Sequence, residues 1–174
     1  WRHMYFIYAP FLLIAMTGFE KVLGIMKQGR TGRERRATIF IAVVIALGLV
    51  ATSYQMIRNH PFQNVYFNAL VGKNGGRLFE LDYWGLSFRQ GLEYIVKNDQ
   101  RSEIKIAANV PPVCMNNAIF LDRQDRNRLN FVDMNHADYF LTNYRWHPDE
   151  YPFNQEIFAI IVDHQKIMSV FRMR

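Results

Sequence analysis

Two apolar stretches dominate the first third of the chain, Met4 to Met26 and Ala37 to Ile57. Each is close to the ~20 residues that a helix needs to cross the hydrocarbon core of a bilayer. The second is the cleaner: Ile39 to Ala51 carries no polar side chain, whereas the first contains Pro10 and Gly18, which membrane helices tolerate, and ends near Glu20 and Lys21. Between them, Lys27 to Arg36 (KQGRTGRERR) sets five bases against the single acid Glu34. The positive-inside rule assigns such a short loop to the cytoplasm, which sends both outer flanks to the opposite face. A helical hairpin buried in a soluble protein would also be apolar all round, but it needs a large partner that this chain does not supply.

Beyond the second stretch the period changes. Pro61 forces His60 out of the helical region, so the helix is predicted to end by about His60. Phe62, Tyr66 and Phe67 suit a segment lying along the membrane interface, and Lys73 to Gly76 (KNGG) reads as a turn. From Leu86 the pattern is that of a small alternating α and β domain. A helix is predicted over Ser87 to Lys97, with Ser87 as its N-cap and Phe88, Leu92, Ile95 and Val96 on one face. A strand follows at Glu103 to Asn109, and a short helix opens at Pro111 and Pro112 and runs through Leu121. Further strands are predicted at Leu129 to Val132 and Ala137 to Thr142, and the chain closes on a hairpin turning at Asp163 to Gln165. The predicted fold class is α/β: a two-helix transmembrane hairpin at 1–58, then a domain at 59–174 with about five strands.

Charge changes the picture only by its location. The formal net charge of the 174 residues is +6; seven bases and two acids up to Arg36 give +5, which leaves +1 for the rest. The basic excess therefore lies where lipid headgroups are, and nucleic acid is excluded as a partner. Cys114 is the single cysteine, so no internal disulfide forms, and it reads as a small core residue. His136, His147 and Cys114 lack ligand spacing, so no metal is expected, and no cofactor motif is present. Neither GxxxxGK[ST] nor GxSxG occurs. Asp133, Asp138, Asp149 and Glu150 read as solvated acids. The chain begins at Trp1 with no signal-peptide pattern, and the expectation is a piece of a longer protein.

Two sets of residues are candidates for chemistry. Arg2 and His3 precede the first span, beside the aromatic belt of Trp1, Tyr5 and Tyr8. There a guanidinium either grips the phosphate of a lipid-linked substrate or anchors the helix in the headgroups. His60, Tyr66, Asn68, Asp82, Tyr83 and Trp84 follow the second span, and their flat rings, amides and carboxylate either receive a sugar or seal the domain onto the membrane.

The stretches RHMYF at Arg2 to Phe6, HPFQNVYFNALVG at His60 to Gly72, FELDYWGLSFRQGLEYI at Phe79 to Ile95, ADYFLTNYR at Ala137 to Arg145 and the closing KIMSVFRM together resemble the C-terminal part of bacterial family-39-like membrane glycosyltransferases. These are GT-C enzymes related to protein O-mannosyltransferases and the lipid A aminoarabinose transferase. The resemblance implies an inner-membrane enzyme that moves a sugar from a polyprenyl-phosphate carrier to an acceptor outside the cytoplasm, with the terminal domain on the periplasmic side. It implies that the catalytic acid lies in an upstream exoplasmic loop, so this chain holds no catalytic residue and works with the remaining transmembrane spans. Arg2 would meet the carrier phosphate. The competing expectation is a non-enzymatic, two-span anchored module that binds a partner protein or a glycan.

Overall fold

The computed structural model of the chain describes residues 5–28, 31–66, 71 and 75–174. The chain divides into two compact units, Trp1–Tyr54 and Gln55–Arg174.

The first unit is helical. Helix α1 spans Tyr5–Gln28 and α2 spans Gly32–Arg58, crossing the boundary between the units. At ~1.5 Å per residue they are about 36 and 40 Å long, enough for a hydrocarbon core of ~30 Å. Both are long and apolar enough to span a membrane, with mean hydropathies of 1.5 and 2.2 over the apolar stretches. None of the apolar window of α1 and only 6% of that of α2 is buried. Each helix runs past the apolar stretch predicted for it, into the basic loop. Thr31 explains part of this: its hydroxyl accepts the Glu34 N–H at 3.3 Å and its carbonyl accepts the Arg35 N–H, so the turn carrying Arg33, Arg35 and Arg36 is capped and helical.

The second unit is an α/β layer. Helices α3 (Gly75–Leu78), α4 (Ser87–Asn98), α5 (Pro111–Asn117) and α6 (Arg123–Arg126) accompany strands β1 (Ile104–Ala108), β2 (Leu129–Phe131), β3 (Tyr139–Thr142), β4 (Glu156–Val162) and β5 (Gln165–Arg172). The five strands form one mixed sheet in the order β2-β1-β3-β5-β4. β1 is parallel to both β2 and β3, with Ile104 opposite Leu129 and Ile106 opposite Tyr139. β5 runs antiparallel to β3 and to β4. β1 is therefore flanked by its two parallel neighbours, and a topological switch point lies between the carboxyl ends of β1 and β3.

Alternation along the strands builds two cores. On one face Phe88, Leu92, Ile95 and Val96 of α4 pack with Ile104 and Ile106, Leu141, Met168 and Val170. On the other, Ala107, Phe140 and Phe171 are covered by Tyr151 and Phe153 from the segment before β4. Gly91 faces the sheet, where a Cβ would meet the end of the Met168 side chain and stand 3.2 Å from the Leu141 Cδ2.

Several details depart from the sequence reading. Ser87 begins α4 but does not cap it with its side chain; the cap comes from Asp82, as described below. Phe62 does not lie at an interface: it is 5% exposed and belongs to the core with Val65. The helix expected through Leu121 ends at Asn117 and passes into a 3-10 turn, Ala118–Phe120. Gly75 and Gly76 of the predicted turn open α3, and Lys73 and Asn74 lie outside the described residues. The terminal hairpin turns on Asp163 and His164, both with positive φ (47° and 65°), the twist that a two-residue hairpin needs and that glycine or asparagine more often supplies.

Candidate functional site

A cavity of about 660 Å³ opens at the carboxyl end of β3. Three segments wall it: Gly76 to Leu81, Asn143 to Glu150, and His164 to Lys166 of the β4–β5 turn. It lies between the loop after β3 and the β4–β5 turn, where the strands end and their loops leave room for a ligand.

The loop after β3 is built by side-chain bonds to backbone. Asn143 is 3% exposed; its amide donates to the Asp82 carbonyl at 2.8 Å and its side-chain oxygen accepts from Asn109 at 3.0 Å. Asn109, just past β1, also donates to the Arg145 carbonyl at 3.2 Å, so the ends of β1 and β3 are tied together. Tyr144 and Trp146 have φ of 57° and 62°, a left-handed conformation that costs bulky residues of order 1–3 kcal/mol each. Tyr144 is held there by its N–H to the Thr142 hydroxyl at 3.0 Å and its phenol to the Ser169 hydroxyl at 2.7 Å. Burial raises the pKa of that phenol.

Arg145 sits between these two residues. Its guanidinium lies 4.0 Å from the Tyr83 ring centroid and 4.3 Å from that of Trp146, so aromatic faces flank the cation. Its Nε is 3.5 Å from the Glu80 Oε2, an ion pair without hydrogen-bond geometry. Trp146 itself remains 70% exposed at the cavity. Across the cavity, Lys166 donates to Glu156 at 2.9 Å and lies 3.9 Å from Glu150; the Glu156 bond raises its pKa, so it stays charged. Downstream, His147 stacks on Tyr151 at 4.4 Å and Tyr151 on Phe153 at 5.8 Å, which pins the loop to the second core.

The candidates from sequence fall around this cavity unevenly. Arg2, His3 and Asn68 lie outside the described residues. Asp82 is 1% exposed: its oxygens accept the N–H groups of Leu86 and Ser87 at 2.9 and 3.0 Å and the Ser87 hydroxyl, so it holds the start of α4. Gly85 turns the chain between them with φ 66°; a Cβ would stand 2.5 Å from Val113. Trp84 is 58% exposed and meets Tyr83 edge to face at 5.1 Å. His60 is exposed and shares a 2.8 Å hydrogen bond with Gln63. Tyr66 is half-buried. Their segment reaches the cavity walls through neighbours: Asn64 donates to the Leu81 carbonyl at 3.3 Å and Asn59 to Asp163 at 2.6 Å.

The residues that sequence reasoning missed are Glu80, Tyr144, Arg145, Trp146 and Lys166, together with Asp149 and Glu150, which border the cavity. A signal did exist, because the FELDYWG and NYRW runs concentrate rings and charges in two loops. Cys114 is fully buried and its thiol is raised far above the usual range by that burial. Among the described residues no three His, Cys, Asp or Glu side chains gather as metal ligands.

The fold and cavity define a class: a chain with two apolar helices of spanning length followed by an α/β domain that carries an aromatic and charged pocket at its strand ends. No protein-family model, curated protein or solved structure matches it.

Proposed function

We propose that the chain is the C-terminal part of a membrane glycosyltransferase that moves a sugar from a polyprenyl-phosphate carrier to an acceptor outside the cytoplasm. The observation that carries this reading is a pairing within one chain. Two nearly bare apolar helices call for lipid and further spans, and the attached domain opens a pocket of rings and carboxylates, the surface that hydroxyl-rich ligands require. In this reading the basic turn at Lys27 to Arg36 faces the cytoplasm and the domain is periplasmic. The acceptor hydroxyl is activated by a carboxylate from the upstream part of the protein. The departing phosphate is neutralised by cations, Arg2 among them.

The test is transfer of radiolabelled sugar from a polyprenyl-phosphate donor by the full-length protein in liposomes. Transfer that falls at least about tenfold in Arg2→Ala, the size expected when one charge-assisted contact to the leaving group is lost, supports the reading. No transfer with any polyprenyl-phosphate hexose or pentose overturns it. A tag after Arg174 reachable only from the cytoplasm would overturn the orientation. An anchored module that binds a glycan without turning it over has the same hairpin and cavity, and binding without transfer is its signature.

A further inference from the structure

We infer that the cavity at the end of β3 is a saccharide subsite for the acceptor, taking a neutral or amine-bearing sugar and rejecting the carrier's phosphate. The assignment to the acceptor rests on the transferase reading; the chemistry of the subsite rests on the cavity alone.

Three observations converge. Trp146 offers a large open ring at the cavity while the Arg145 guanidinium lies against it, 4.3 Å from its centroid, which fixes the indole as a platform for sugar C–H groups. That platform is in a left-handed backbone conformation, as is Tyr144 two residues earlier; Thr142 and Ser169 bonds hold Tyr144, and Asn109, bonded to Asn143, holds the Arg145 carbonyl just before Trp146. Strain of this kind, over-determined by its surroundings, collects where a chain must present a group for binding.

The third observation is charge. Among the described lining residues, Glu80, Asp149 and Glu150 border the cavity with Lys166, which is already paired with Glu156 and Glu150. Arg145, beside Trp146, is occupied by Glu80 and two rings. Among the described side chains a phosphate would meet an excess of carboxylate, whereas hydroxyl and ammonium groups find acceptors. A volume of about 660 Å³ lies within the ~300–1,000 Å³ of small-molecule sites, so there is room for a short saccharide.

The test uses the full-length protein in lipid nanodiscs and saturation-transfer NMR. The probes are the methyl glycosides of glucose, mannose and galactose, with glucosamine, and inorganic phosphate as competitor. At least one sugar should bind. Trp146→Ala should weaken it about tenfold, Trp146→Phe should retain most of the binding, and phosphate should not displace it. Binding by none of the four sugars, equal binding by Trp146→Ala, or displacement by phosphate would overturn the subsite. Because binding is read without donor, sugar transfer in the liposome assay with no sugar bound here sinks the subsite and leaves the transferase standing. Sugar binding without transfer does the reverse, keeping the subsite and removing its assignment to an acceptor.

Discussion

Asp82 shows how one carboxylate can look like a ligand group and be a structural one. It lies in a run of aromatic and polar residues, DYWG, that invites a binding role, yet the fold turns it inward to accept the first N–H groups of α4. Asp82→Ala leaves those donors unpaired in a buried place and is expected to cost about 2 kcal/mol, seen as a lower denaturation midpoint of the α/β unit in detergent. At the opposite end of the sheet, Asp99 is held well below the usual carboxylate range, chiefly by the side-chain hydrogen bonds of Arg101, with the Arg101 N–H and the Tyr139 hydroxyl adding to them and burial opposing. An acid whose pKa is lower in the fold than in the unfolded chain, where it is ~3.9, binds fewer protons when folded. Its contribution is complete above that unfolded value and is lost as pH falls through the folded one. Asp99→Asn is therefore expected to lower stability near neutral pH and to flatten the loss below about pH 4, measured by denaturant titrations across that range. Tyr139 moves the opposite way, its phenol pKa raised by burial and by donation to Asp99.

Elements whose identity is set by period were legible in the sequence. The face made by Phe88, Leu92, Ile95 and Val96 returns every three or four residues and is the face that α4 buries. Short strands bounded by polar residues gave β1, β2, β3 and the terminal hairpin within two residues of their observed limits. The cavity was less legible because it is assembled from segments far apart in sequence, and neither periodicity nor composition encodes their meeting. Asp149 and Glu150 are exposed loop acids, as their sequence reading has it, and only the meeting of those segments puts them at the cavity border. Phe62 was misplaced for another: an aromatic after a membrane helix fits an interface and a core equally well until the packing is known. The second face of the sheet carries its own consequence. Phe140 is 1% exposed and contacts the Tyr151 and Phe153 rings at 5.1 and 5.4 Å. Phe140→Ala is expected to cost about 3–5 kcal/mol and, by freeing the segment that carries Tyr151 and Phe153, to raise hydrogen exchange through residues 144–153.

For the molecule as a whole, the decisive property is that α1 and α2 are both long and apolar enough to cross a membrane. Exposed apolar side chains run along both helices, from Phe11 to Ile25 and from Ile39 to Ile57. Water does not tolerate two such surfaces, so the chain is expected to stay in the membrane pellet after alkaline carbonate washing and to enter solution only with detergent. Recovery in the carbonate supernatant would refute this. Such an extraction is blind to which side the domain occupies. The lone thiol supplies a different kind of instrument. Cys114 has no surface contact with solvent and ionises only with difficulty, so a maleimide can reach it only in the moments when the α/β unit comes apart. Its alkylation rate should then track variants that loosen the second unit and ignore those confined to the helices. The protein thus carries a built-in stopwatch for its own breathing, readable by mass spectrometry in intact vesicles without adding any label site.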